Sequence, residues 1–188
     1  GQIFDHPIIT TNLAYLGLVK KYLKKYKVKK YQIILEPFKK NTAPAILSSA
    51  LLMETAYKQP MMFFSSDNLI GKVAQFNKSI NVYKKYLDEN NIFIFGIKPI
   101  SPTSDYGYFL TKTTPEKLNR VYRFIEKPNK NKVKMIIKKN GHMNTGMFFI
   151  RRDSIIRNFL KYQNKLYKHC YEAVKRSKIY KNVYYLNK

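Results

Sequence analysis

The chain has 188 residues, an apolar share of 45% and one cysteine, Cys170. That length and composition suit one globular domain with a sizeable core; they exclude a disordered chain and an internal disulfide, and no apolar run is long enough to span a bilayer. Lys and Arg number 36 against 11 Asp and Glu, a net charge of +25, which could serve a nucleic acid or an anionic membrane.

The basic residues are mostly Lys and are scattered through the whole chain, beside abundant Asn, Ile and Tyr. Drift toward AT-rich codons would leave such a surface, a hypothesis that a balanced base content in the gene would overturn. A nucleic-acid reading would instead need aromatics interleaved with Lys on one face and an affinity that falls steeply with salt. The scattering argues against a specific nucleic-acid partner. No signal-peptide pattern opens the chain, and a lone cysteine suits a reducing cytoplasm.

Pro7 to Thr11 reads as a short strand ending at a helix cap, Asn12. Leu13 to Tyr26 reads as a helix with Leu16, Val19, Leu23 and Tyr26 on one side and five lysines crowding the rest. A basic amphipathic helix can lie on a membrane or nucleic acid. A surface helix packed on a sheet fits the βαβ rhythm better, because a strand follows at once.

Tyr31 to Leu35 is an apolar, partly β-branched run that suits a strand covered on both faces. Pro37 should end it, since proline donates no ladder hydrogen bond. Asn41 or Thr42 can cap the next helix, and Pro44 is tolerated in its first turn. Ala45 to Tyr57 then carries Ile46, Ala50, Leu51, Met53 and Ala56 at roughly helical spacing. The unpaired amides at such a start face the crevice beyond the strand's carboxyl end, where open α/β sheets bind ligands. An ordinary strand-to-helix junction has the same local pattern.

Met61 to Phe64 is the next apolar strand, and Asp67 follows its carboxyl end. A lone carboxylate there can hold Mg²⁺ together with substrate oxygens, or simply cap a helix beginning near Leu69. Val73 to Leu87 has a core face. Ile92 to Pro99 reads as a buried strand running into a loop extended by Pro99 and Pro102. Gly107 allows close approach of a ligand, or a turn.

Val121 to Pro128 alternates like a half-buried strand, with Glu126 and Lys127 at its end. A carboxylate can accept two sugar hydroxyls and an ammonium can meet a phosphate, although most such pairs are merely solvated. Asn129 to Lys139 reads as a polar helix. Asn144, before a buried strand, can pair with a hydroxyl or make a turn before Gly146. Asp153 to Leu166 and Tyr171 to Arg176 read as helical turns. His169 and Cys170 lack partners at metal-ligand spacing and read as structural. Tyr180 to Lys188 reads as a frayed end.

Several of these stretches carry specific wording. Glu36-Pro37-x-x-x-Asn41-Thr42-Ala43-Pro44-Ala45 resembles a hallmark of the bacterial mannose-1-phosphate guanylyltransferases, within the sugar-nucleotide pyrophosphorylase family. Ser65-Ser66-Asp67-Asn68 is similar to that family's P-A-D-H, keeping only the aspartate. The segment from Phe95 to Tyr108 is similar to F-G-I-x-P-x-x-P-E-T-G-Y-G-Y, with Asp105 in place of the first glycine of its G-Y-G. Glu126-Lys127-Pro128 matches E-K-P. Asn144-Thr145-Gly146-Met147-Phe148 resembles N-S-G-M-F, with Met143 where the family usually has Trp. Five motifs in family order, covering roughly residues 7 to 152, are far more specific together than any one alone.

The resemblance implies an open, mostly parallel Rossmann-like α/β sheet with helices on both faces, incomplete, forming one partial nucleotidyltransferase domain over 1–188. It implies transfer of GMP from GTP to mannose 1-phosphate, giving GDP-mannose and pyrophosphate. Glu36, Asn41 and Thr42 would meet the nucleotide; Gly107, Glu126 and Asn144 the sugar; Lys127 the sugar phosphate; Asp67 the Mg²⁺; and all of them would gather on one rim of a single sheet. The family's glycine loop, G-G-x-G-T-R-L-x-P-L, would lie upstream and a second metal-binding aspartate downstream. The chain has no G-x-G, so it is expected to be weak or inactive alone, its other parts supplied by a separate chain or lost in a decayed relic that only binds.

Overall fold

The computed structural model describes residues 3–38, 41–53, 58–113 and 118–187. Their order is β1 (Ile8–Thr11), a 3-10 turn (Leu13–Tyr15), α1 (Leu16–Lys25), β2 (Gln32–Leu35), α2 (Thr42–Leu52), β3 (Pro60–Phe63), α3 (Val73–Tyr83), a second 3-10 turn (Lys84–Tyr86) and β4 (Phe93–Ile97). Then follow β5 (Tyr108–Thr113), β6 (Asn119–Ile125), α4 (Lys130–Lys138), β7 (His142–Arg151), α5 (Arg152–Tyr162), α6 (Asn164–Lys175), β8 (Lys178–Tyr180) and β9 (Val183–Tyr185). The chain forms two compact units. One holds Gly1–Met61, Lys72–Asn91 and Ile150–Lys188; the other holds Met62–Gly71 and Ile92–Phe149.

The first unit contains a four-stranded sheet in the order β1-β2-β9-β8. β1 and β2 are parallel, as are β2 and β9, and β8 returns antiparallel. Ile33 and Ile34 in β2 have no exposed surface, as a strand covered on both faces requires, and each such side chain contributes about 1.5–3 kcal/mol. Ile33 and Leu35 pack with Val183 against Leu16, Val19 and Leu23 of α1. The other face is held by α2, where Ser49 Oγ lies 3.1 Å from Thr10 Oγ1. The expected open α/β sheet with helices on both faces is thus present, its parallel pairing centred on β2. A single sheet is not: the remaining strands belong to a second one.

Four local expectations change in this unit. The carboxyl-terminal stretch is not frayed, because Val183 is buried and β9 is an inner strand of the sheet. Tyr26 is not on the core side of α1; it caps the helix at 67% exposure. In α2 the buried residues are Leu47, Ser48, Ser49, Ala50 and Leu52 rather than one stripe through Ile46 and Leu51, because α2 packs on α5 and α6 as well as on the sheet. It ends at Leu52; Ala56 and Tyr57, like Lys39 and Lys40, lie outside the described residues. Finally, α5 and α6 are two full helices broken at Gln163.

The second sheet has the order β3-β7-β5-β6, with β4 also on β7. β4 and β5 each pair antiparallel with β7, and β6 pairs antiparallel with β5. Val133 and Ile136 of α4 pack on Tyr108 and Leu110 of β5. Asn129 caps α4, its Oδ1 accepting from Lys132 N at 2.9 Å. β4 is not the buried strand its run of apolar residues predicts: Ile97 is 50% exposed and Gly96 is exposed as well. Among the described residues it pairs with β7.

Candidate functional site

In the second unit, the expected sugar-phosphate residues meet around an irregularity in β7. β4 and β7 pair as Ile94 with Phe148, then as Gly96 with Asn144, so the register shifts between them. Such bulges re-aim side chains and favour functional rims. Thr145 fills this one, donating through Oγ1 to Phe95 O at 2.8 Å. Gly146 has φ +72, a conformation glycine takes without steric cost. Asn144 Oδ1 accepts from Gly146 N at 3.2 Å, which is the turn role that sequence left open. Its amide nitrogen has no partner among the described residues and remains a free donor.

Two contacts extend outward from this bulge. Asn144 N donates to Gly107 O at 2.8 Å. On the other side, Asn68 Nδ2 donates to Thr145 O at 3.2 Å, which ties the Asp67 loop to the same point. Gly107 is buried, with ordinary backbone angles. It is needed because a Cβ there would lie 2.7 Å from the Phe124 ring and 2.8 Å from Glu126 Oε2. Asn68, next to Asp67, is thus tied to Thr145, Asn144 is tied to Gly107, and Glu126 lies beside Gly107. Asp67 does not cap a helix, since α3 begins only at Val73.

Glu126 and Lys127 follow the end of β6, both exposed. Lys127 has φ +41, and buried Pro128 follows it. A left-handed non-glycine residue costs about 1–3 kcal/mol and marks sites where strain positions a group. Asp105, where the family has glycine, accepts from Thr103 Oγ1 at 2.9 Å, and Tyr108 Oη donates to Thr103 O at 2.9 Å. The substituted loop is thus closed by its own hydrogen bonds.

In the first unit, the carboxyl ends of β1, β2 and β9 line a cleft of about 600 Å³, bordered by Asn12, Leu35, Glu36, Phe38 and Tyr185. Glu36 is half-buried, and burial pushes its carboxyl above the usual range. Asn12 Oδ1 is buried without a donor. Asn41 occupies the N-cap position of α2, but its side chain makes no capping bond, and both Asn41 and Thr42 are exposed. Glu36 also faces Cys170, whose thiol burial pushes up.

The state of Glu36 gives a stability prediction. Its folded carboxyl value lies above the unfolded value of about 4.3, so the penalty is absent below that value and grows as pH rises through the folded one. Glu36→Gln should raise the melting temperature at pH 7.5 by roughly 2–4 °C and leave it unchanged near pH 4. Thermal melts at the two pH values check this; equal shifts at both would refute it.

A family model described as nucleotidyl transferase matches residues 2–186. The chain belongs to the nucleotidyl transferase family. Among curated proteins, it is 31% identical over 183 residues to mannose-1-phosphate guanylyltransferase of Klebsiella pneumoniae, covering 93% of this chain and 38% of that protein. It is 26% identical over 178 residues to the alginate biosynthesis protein AlgA of Pseudomonas fluorescens, covering 92% and 37%. The chain thus spans little more than a third of the length of these relatives. Mannose-6-phosphate isomerase from Helicobacter pylori matches its structure with a TM-score of 0.83 and 25% identity, over 98% of this chain and 72% of that one. Mannose-1-phosphate geranyltransferase from Thermus thermophilus matches with a TM-score of 0.78, over 95% and 58%; at 16% identity it shows the fold alone. The family read from the motifs is borne out.

Among the described residues, no group of three or more His, Cys, Asp or Glu could hold a metal on its own. The donor set near Asp67 suits a cation that shares its ligands with substrate. The Asp67 carboxylate has no recorded partner among the described residues, and neighbouring Asn68 Oδ1 is a buried acceptor without a donor. Hard divalent cations take such oxygens and complete their shell with phosphate and water. Sequence reasoning did not single out Asn12, Asn68 or Thr145 as site residues. An asparagine just past a strand was the available signal at Asn12 and after Asp67; its burial was not visible. No helix among the described residues is long and apolar enough to cross a membrane.

Proposed function

We propose that this nucleotidyl transferase chain carries the substrate-recognition part of a mannose-1-phosphate guanylyltransferase. The closeness of Asn144, Gly107 and Glu126, with Asn68 tying the Asp67 loop to Thr145, supports this reading: residues spread over some eighty positions come together where the family's sugar-phosphate motifs would need them. Glu126 accepts hexose hydroxyls, Asn144 donates its free amide to another, and Gly107 lets the sugar approach the backbone. Lys127 meets the sugar phosphate. In the first unit, Glu36, Asn41 and Thr42 meet the nucleotide. Asp67 holds a divalent cation, Mg²⁺, which when bound neutralises charge on the phosphates.

In the reaction proposed, a phosphate oxygen of mannose 1-phosphate bonds to the α-phosphorus of GTP. The bond to the bridging oxygen breaks, and pyrophosphate leaves with the electron pair. No side-chain nucleophile takes part, so positioning and charge neutralisation carry the rate. The setting is the cytoplasm, and a further segment or separate chain brings the glycine loop and the second carboxylate. The 188-residue chain, which has no G-x-G, should therefore bind mannose 1-phosphate yet form GDP-mannose at least about a thousandfold more slowly than a complete enzyme. Chromatography of mixtures with GTP, Mg²⁺ and mannose 1-phosphate tests the rate, and calorimetry tests the binding. Absence of any mannose 1-phosphate binding would sink the assignment.

A further inference from the structure

Among the described residues every recorded ion pair is made by an arginine or a histidine, and lysines such as Lys25 and Lys181 lie over tyrosine rings instead. Three lysines meet in the first unit, away from the carboxyl ends of its parallel strands. A groove of about 570 Å³ is lined there by His6, Lys29, Lys30 and Lys181, with Tyr31 and Tyr184. Asp5 stands beside it and is engaged by His6, accepting from the His6 backbone amide at 2.8 Å. Lys181 lies in the two-residue turn between β8 and β9 with φ +56, a conformation that favours glycine. The sheet imposes it: the Asn182 side-chain amide donates to Tyr31 O at 3.2 Å, and Ile33 N donates to Asn182 O at 2.9 Å. A two-residue hairpin turn requires such a φ, and it fixes Lys181 at the groove.

The chain enters this groove from α1 and the turn before it, which carry an aromatic stripe at spacings of three and four: Tyr15 at 48% exposure, Leu18 at 50%, Tyr22 at 48% and Tyr26 at 67%. The rings of Tyr22 and Tyr26 are stacked, 6.2 Å apart and 12° from parallel. Lys25 Nζ lies 6.0 and 5.7 Å from their centroids, and Lys29 follows three residues after Tyr26. Flat rings interleaved with cations match the alternation of bases and phosphates in a flexible strand. A bilayer would need more than one aliphatic residue to insert, and would not follow a concave groove.

We propose that the outer face of α1 and the Lys29–Lys30–Lys181 groove form one binding strip for single-stranded nucleic acid, with the tyrosines stacking on bases and the lysines meeting phosphates. The strip is distinct from the cleft at the carboxyl ends and does not depend on the transferase reading. The test uses fluorescence anisotropy of labelled oligothymidylate and oligouridylate, about twelve nucleotides long, with the full chain over a salt series. The combined change Lys29→Glu, Lys30→Glu, Lys181→Glu, and separately Tyr22→Ala with Tyr26→Ala, should each weaken binding roughly tenfold or more. The same charge change on α4, Lys134→Glu with Lys138→Glu and Lys139→Glu, should weaken it by less than about threefold, because α4 is not part of the strip.

Circular dichroism confirms folding; should the triple variant unfold, Lys181→Ala alone should still weaken binding about threefold. Equal weakening by the α4 control would mean that net charge alone binds, and would overturn the proposal. So would unaltered binding by the tyrosine variant, or loss of binding to phosphatidylserine vesicles, but not to oligonucleotides, in the strip variants.

Discussion

Gly107→Ala should weaken mannose 1-phosphate binding by roughly ten- to a hundredfold while moving the melting temperature by less than about 2 °C. A Cβ at this position would meet Phe124 Cζ at 2.7 Å and Glu126 Oε2 at 2.8 Å. Both are the far ends of side chains on exposed residues, so they can swing away without unpacking a core. The backbone of Gly107 holds Asn144 through a hydrogen bond that alanine leaves intact. The displacement therefore falls on the carboxylate proposed to accept the sugar hydroxyls. Losing charge-assisted hydrogen bonds of that kind costs about 1.5–3 kcal/mol. Calorimetric titration of both proteins with mannose 1-phosphate, beside thermal melts, separates the two effects. Unchanged affinity would remove Glu126 from the sugar site, and a large drop in melting temperature would show that Gly107 serves stability instead.

Asp153→Ala should produce the largest loss of stability of any single change considered, roughly 3 kcal/mol and about 10 °C in melting temperature. Asp153 is buried at the start of α5. It accepts from Arg151 Nε at 2.9 Å through Oδ1, while a second Arg151 nitrogen pairs with Oδ2. Ser154 N also donates to Oδ1 at 2.9 Å. Glu89 completes the set, 3.7 Å from Arg151 and 3.8 Å from Arg157, with its carbonyl accepting from Ser154 Oγ. Removing the carboxylate strands a poorly solvated guanidinium.

Burial by itself would push the Asp153 carboxyl up, but the Arg151 guanidinium and the Ser154 amide outweigh it and hold the carboxyl below its ordinary range. A depressed folded value adds stability that is complete above the unfolded value of about 3.9 and is lost as pH falls through the folded one. Denaturant curves should thus show the parent losing stability below about pH 4 by more than Asp153→Ala does. Parallel pH profiles would refute the coupling.

Much of the candidate site was legible because its pieces are local. Apolar runs with polar ends marked the strands, and Glu36, Asp67, Glu126 and Asn144 were found by their place at strand junctions together with their family wording. Asn129 was read as the first residue of a helix and instead caps it. Short elements were not legible. The three residues Val183–Tyr185 carry no periodicity, and only pairing with β2 makes them an inner strand. Ile92 to Ile97 looks buried by composition, yet Ile92 and Ile97 are about half exposed. Tyr26 fits a helical stripe by count, but the helix ends before it can turn inward.

The order of residues alone determined which of the longer segments become strands and helices, and which polar groups stand at their ends, because backbone sterics and hydrophobic period act over a few neighbours. It also fixed the family through wording that spans most of the chain. Only the tertiary structure decided that the strands divide into two sheets, that the shift at Thr145 draws the Asp67 loop and Gly107 together, and that Asn12 loses its water. Those outcomes depend on which distant backbone supplies the missing hydrogen bond or covers a side chain, and no window along the sequence holds that information.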